Sequence, residues 1–168
     1  MSRHIPPAPG FWQHGVMGTE QVSSRLHRRL VDALYVEAMV LADEARAYFD
    51  EGGREDREAL EPMTRVAYSC ESLKVTTRLM HVIAWLLTQR AVDAGEMSRS
   101  DALDPSRRLG TPPHSDPEVI ATMPPQTRAL VAASIDLFRR TARLDADQLG
   151  TPIDSPARAI LERLAVSI

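Results

Sequence analysis

Three stretches of the chain repeat apolar residues in steps of three and four, the spacing that lines one face of an α-helix. In the first, Leu30, Leu34, Ala38, Leu41, Ala45 and Tyr48 share a face, and Val31, Met39 and Phe49 widen it. Ser23 or Ser24 can cap its start, because a serine hydroxyl accepts a free backbone N–H. The helix is predicted to run to Glu51, where Gly52 and Gly53 supply the cap conformation cheaply.

The strongest periodicity predicts a second helix from Met63 to Ala94, with Pro62 tolerated in its first turn and Gly95 ending it. Val66, Cys70, Leu73, Thr77, Met80, Ala84, Leu87 and Ala91 form one stripe. Val75, Leu79, Val82, Ile83 and Leu86 form another beside it. From Leu79 to Leu87 the helix is apolar almost all round, and such a helix is buried on several sides. A three-helix bundle covers it poorly. The expectation is therefore a homodimer whose interface includes Leu79, Met80, Ile83, Leu86 and Leu87; the alternative is a central helix in a monomer.

The third helix is predicted from Pro124-Pro125 to about Leu149, stopped by Gly150-Thr151-Pro152. Leu130, Ser134, Leu137, Phe138, Thr141 and Leu144 make its inner face, broadened by Val131 and Ile135. No stretch alternates like a strand. The pattern is that of an all-α domain, a three-helix bundle with long helices over residues 23–149.

Outside that domain, residues 1–22 hold three prolines, three glycines, Phe11 and Trp12 without a sustained period, and read as a mobile N-terminal arm. Residues 150–168 read as a flexible C-terminal tail, in which Ile160, Leu161, Leu164 and Ile168 can form a short amphipathic helix. Residues 96–123 form a long connection with Ser98 and Ser115 as candidate caps for single turns. Connections this long are often functional or mobile.

Composition narrows the function. The chain has 168 residues, the size of one domain, and 43% hydrophobic content, enough for a core. A net charge of −3 argues against a general nucleic-acid binder, which carries a basic surplus. A single cysteine, Cys70, precludes an intrachain disulfide and fits a reducing cytoplasm. The start, MSRHIPPAPG, has no apolar core of a signal peptide, and no apolar run is long enough to span a bilayer.

Chemistry is sparse. No two histidines lie three or four residues apart, and only His114 has a glutamate at that spacing, Glu118, with Pro117 between them in the connection. That pair cannot make a metal site, and neither a di-metal Glu-x-x-His set nor a zinc ligand set is present. Cys70 lies on the apolar stripe, where core packing is the expected role. No phosphate loop or nucleophile motif occurs, so no cofactor is expected and no catalytic role is assigned. Arg139, Arg140 and Arg143 complement the third helix's dipole or bind phosphate. Glu71, Lys74, Arg78 and His81 share a face of the second helix, followed by Trp85. Tryptophan is favoured at binding surfaces, so Glu71, Lys74, Arg78 and Trp85 form a candidate partner-binding surface; a polar seam between helices is the alternative.

The second helix, VAYSCESLKVTTRLMHVIAWLLTQRAVDAGE, resembles the RcdA/DUF1465 family, chiefly through ESLKVTTRLM and WLLTQRAV. EAMVLADEARAYFD in the first helix and PPQTRALVAASIDLFRRTARLD in the third add weaker likeness. The resemblance implies a three-helix bundle that forms homodimers and serves as a non-enzymatic adaptor for the protease ClpXP. It implies that a CpdR-like response regulator primes the protease and that the adaptor brings substrates such as CtrA-like cell-cycle transcription factors. The tail, here Ile160, Leu161 and Leu164, would engage the protease, and the Glu71–Trp85 face would take cargo. The alternative is a dimeric helical scaffold unconnected to proteolysis.

Overall fold

The computed structural model describes residues 14–150. Helix α1 spans His14–Ala47 and passes into a single π-helical stretch, Tyr48–Gly52. Helix α2 is one short turn, Arg54–Glu58. Helix α3 spans Pro62–Asp93, α4 Arg99–Ala102, α5 Pro117–Ala121 and α6 Pro125–Asp147. No strand occurs among the described residues. The long helices α1, α3 and α6 make the expected all-α bundle, and the boundaries of α3 and α6 lie close to the predicted ones.

Contacts fix the helix directions. Arg28 faces Asp93, and Asp32 faces Arg90, so α1 and α3 run antiparallel. Arg78 meets Ser134, Trp85 meets Asp145, and Gln89 meets Gln148, so α3 and α6 run parallel. Parallel neighbours cannot be joined by a tight turn. The 94–124 segment is the crossover that returns the chain along α3, whose 32 residues make it about 48 Å long.

The core lies where the three long helices meet. Val31, Leu34, Ala38, Leu41 and Ala45 from α1 pack against Val75, Leu79, Val82, Trp85 and Leu86 from α3. Leu130, Val131, Leu137 and Phe138 from α6 close it. Burying a side chain of this size is worth roughly 1.5–3 kcal/mol, so these residues dominate the bundle's stability.

Several expectations are corrected. Helix α1 begins at His14, ahead of Ser23 and Ser24, which sit exposed inside it; an exposed serine tolerates a helix interior well enough for the helix to continue. Leu30, Met39 and Ile135 face outward at 42%, 39% and 42% exposure, at the edges of stripes whose centres are inward. The chain does not stop at Gly52 but widens through the π stretch and turns at Gly53, where a Cβ would lie 2.5 Å from the Tyr68 hydroxyl and 2.9 Å from the Tyr48 ring. Only glycine permits that approach. Gly95, at φ 76°, ends α3 as expected. Ser98 caps α4, accepting from the Asp101 N–H. Ser115 is not a cap: Asp116 caps α5, and Ser115 points its hydroxyl inward. Residues 1–13 of the arm, and Ile160, Leu161 and Leu164 of the tail, lie outside the described residues.

Candidate functional site: two polar clusters and an outward apolar stripe on α3

The second helix carries two apolar faces, and the structure turns the less regular one inward. Val75, Leu79, Val82 and Leu86 are buried. Of the five residues expected at a dimer interface, Leu79 and Leu86 therefore belong to the protomer's own core. Ile83 is half-buried against that core. Met80 and Leu87 remain outward, at 64% and 46% exposure. They continue a line formed by Val66, Cys70, Leu73, Thr77 and Ala84, all exposed. Cys70 is thus a surface thiol, contrary to the core role its apolar neighbours suggest. An apolar stripe sustained over six turns of helix is more than the scattered exposure usual for a soluble surface.

The candidate cargo surface is also corrected. Glu71, Arg78 and Trp85 are buried, at 1%, 2% and 2% exposure, and cannot meet a partner in this conformation. Lys74 is partly exposed and donates to Glu71 at 2.6 Å. The stripe is a polar seam, because the crossover lies over it.

Two clusters make that seam. In the first, the Arg78 guanidinium donates to the Pro113 carbonyl at 2.9 Å, to the Ser115 hydroxyl, and to the Ser134 hydroxyl at 3.3 Å. Ser115 donates in turn to Glu71 at 2.6 Å. Burial pushes the Arg78 guanidinium down from its ordinary value, partly offset by the Glu71 carboxylate. In the second, Asp145 accepts from the Trp85 indole N–H at 2.7 Å and from Arg108 Nε at 2.6 Å, with a further Arg108 nitrogen at 2.8 Å. The Asp145 hydrogen bond holds the Arg108 guanidinium above its ordinary value. Both clusters tie a residue of the crossover to two helices, so this segment is fastened along its length. His81 packs beneath Gly110 between them.

The remaining candidates resolve simply. Arg140 pairs with Glu37 of α1 and with Asp136, and so ties α6 to α1, whereas Arg139 pairs with Asp136 within α6. His114 is exposed. Among the described residues, no group of three His, Cys, Asp or Glu side chains could hold a metal ion, and no helix is long and apolar enough to cross a membrane.

A cleft of about 680 Å³ opens at the end of the bundle where α3 and α6 finish. Its walls include Leu26 and Leu30 of α1, Asp93 of α3, and Leu144 and Gln148 of α6. The sequence pattern did not single it out, because no local period marks a corner between three helix ends.

Among proteins of known structure, the chain is similar to RcdA from Caulobacter crescentus CB15. The two share 34% identity, the match covers 71% of this chain and 90% of that one, and the TM-score is 0.59. No curated protein matches. Residues 22–167 match the family described as "Protein of unknown function (DUF1465)", a span that takes in α3, α6 and most of α1. The chain belongs to the DUF1465 family, and the likeness read from α3 is a kinship of the whole domain.

Proposed function

We propose that the protein is a non-enzymatic, cytoplasmic adaptor. It forms a homodimer and carries substrate proteins, CtrA-like transcription factors among them, to ClpXP primed by a CpdR-like response regulator. The kinship with RcdA supports this reading. So does the outward stripe of α3: Val66, Leu73, Met80 and Leu87 present apolar surface that a folded partner or a second copy would cover. The polar groups of α3 that converge do so on one another and on the crossover, as a brace. The α3 stripe is the observation that carries the proposal. An adaptor acts by raising local concentration, which increases effective affinity by about 10² to 10⁴-fold when two weak contacts are linked.

A reconstituted degradation assay tests it. ClpXP, a CpdR-like regulator and a candidate substrate are combined with and without the protein. The expected result is faster substrate loss that requires the regulator and residues 151–168. A stable complex with no change in substrate half-life would replace this reading with that of a scaffold. The dimer has a separate test. Leu73→Asp and Met80→Asp place charges on exposed positions, so each should retain full helicity. Each should also shift the sedimentation coefficient from dimer to monomer, and an unchanged dimer would remove the stripe from the interface.

A further inference from the structure

We propose that the cleft at the end of the bundle is the docking site for the chain's own 158–168 segment. Four observations converge on that occupant. The first is position: Gln148 lines the cleft, and Gly150, at φ 64°, turns the chain at its edge, so residues following α6 leave from the lip of the cleft. The second is reach. Nine residues separate Gly150 from Ile160. Fully extended they span at most about 30 Å, so a segment that returns to the cleft needs only a folded-back linker, and Pro152 and Pro156 shorten it further.

The third is chemistry on the body. Arg28 meets the last residue of α3, Asp93, so α1 continues past the end of α3 and its Leu26 and Leu30 form an overhanging apolar wall. They are 58% and 42% exposed, and Leu144 of α6 faces them across the cleft. The fourth is an incomplete carboxylate. Among the described residues, Asp93 Oδ2 is buried with no hydrogen-bond partner, and the nearest cation, Arg28 Nε, stands 3.9 Å away. The tail sequence matches both features: the spacing of Ile160, Leu161 and Leu164 would put them on one face of a helix, and Arg158 and Arg163 flank them in sequence. Apolar side chains fill the wall, and a guanidinium completes Asp93. Connection through a short linker places the segment at millimolar effective concentration, so a contact too weak to hold between separate molecules holds within one.

The docking itself goes beyond the proposed function; its consequence rests on that reading. The residues assigned to the protease side would be covered in the free protein and released when a stronger partner competes for them.

Hydrogen exchange on the full chain tests the docking without any protease, so it can fail while the adaptor reading stands, and the reverse. In the wild type, amides of residues 158–165 should exchange about tenfold slower than in a Leu26→Asp/Leu30→Asp variant, as expected for nine-tenths occupancy. Both changes fall on exposed side chains, and the thermal midpoint verifies that the bundle is intact. The reciprocal variant, Leu161→Asp/Leu164→Asp, alters no residue of the bundle and should speed exchange at the cleft-lining end of α6. Equal tail exchange in the wild type and both variants overturns the proposal. Protection that disappears on tenfold dilution overturns it too, because the occupant is then the tail of a second copy.

Discussion

Arg78 separates the two readings of α3 most sharply. Replacing it by methionine keeps the stem's apolar volume and removes the guanidinium. The structure then leaves the Pro113 carbonyl without its donor and breaks the Ser115 and Ser134 contacts. Glu71 keeps Lys74 and the Ser115 hydroxyl, so it is not stranded. Hydrogen bonds to a charged group are worth about 1.5–3 kcal/mol each when buried, and the Ser134 contact at 3.3 Å is the weakest, which together suggest a loss of about 3 kcal/mol. Glu71→Gln works in the opposite sense. It removes the carboxylate that partly offsets the burial of the guanidinium, to which it is linked through Ser115 and not by direct contact, and leaving a buried charge less compensated costs up to about 3 kcal/mol. Replacing both by apolar residues should cost less than the sum, with a coupling of about 1–2 kcal/mol, because the buried guanidinium is gone and Lys74, which is partly exposed, turns to solvent. Urea unfolding at one fixed protein concentration measures all four corners of this cycle. If Arg78→Met unfolds within about 0.5 kcal/mol of the wild type, as an ordinary surface substitution would, the side chain does not brace the crossover. Loss of partner capture at unchanged stability would then restore its surface role.

Three further outcomes follow from particular contacts. Gly53→Ala should destabilise by about 1–3 kcal/mol in the same assay, because the new Cβ would overlap the Tyr68 hydroxyl and the Tyr48 ring. Asp145→Ala should cost about 2–3 kcal/mol and shift Trp85 emission, since it leaves Arg108 only the backbone carbonyl of residue 145 and unpairs the indole N–H; a wild-type midpoint would refute a bracing role for Asp145. Burial pushes the Tyr48 hydroxyl above the ordinary tyrosine range, so its neutral form is favoured in the folded state. Stability from this group is therefore complete below about pH 10 and declines as pH rises through and beyond the unfolded value, and Tyr48→Phe should flatten that alkaline slope in a pH series of urea midpoints.

Much of the fold was legible because helix faces repeat locally. Three periodic stretches show that there are three long helices, and the proline entries to α3 and α6 and the glycine after α3 mark those two to within a few residues, whereas α1 begins at His14, well ahead of Ser23. The crossover's course was not legible: its length shows a long connection, but it takes contacts such as Trp85–Asp145 and Arg78–Ser134 to show that α3 and α6 are parallel. Both contacts join residues more than fifty positions apart, beyond any spacing rule.

The site was misassigned on α3 for a related reason. Periodicity shows that a face is apolar and does not show which way it points. Val66, Leu73, Met80 and Leu87 repeat more regularly than the true core face, which Glu71, Arg78 and Gln89 interrupt. Those polar residues made the inward face look like surface. They are tolerated inside because the crossover and α6 bring Ser115, Pro113, Ser134 and Gln148 to meet them. A helix with a polar-interrupted core face and a cleaner apolar face outside is under two constraints at once. The first is to hold a crossover by specific hydrogen bonds. The second is to leave a mostly apolar stripe free, and folding of the single chain does not require that stripe. Its regularity is therefore better explained by a surface that meets another chain than by the stability of the bundle.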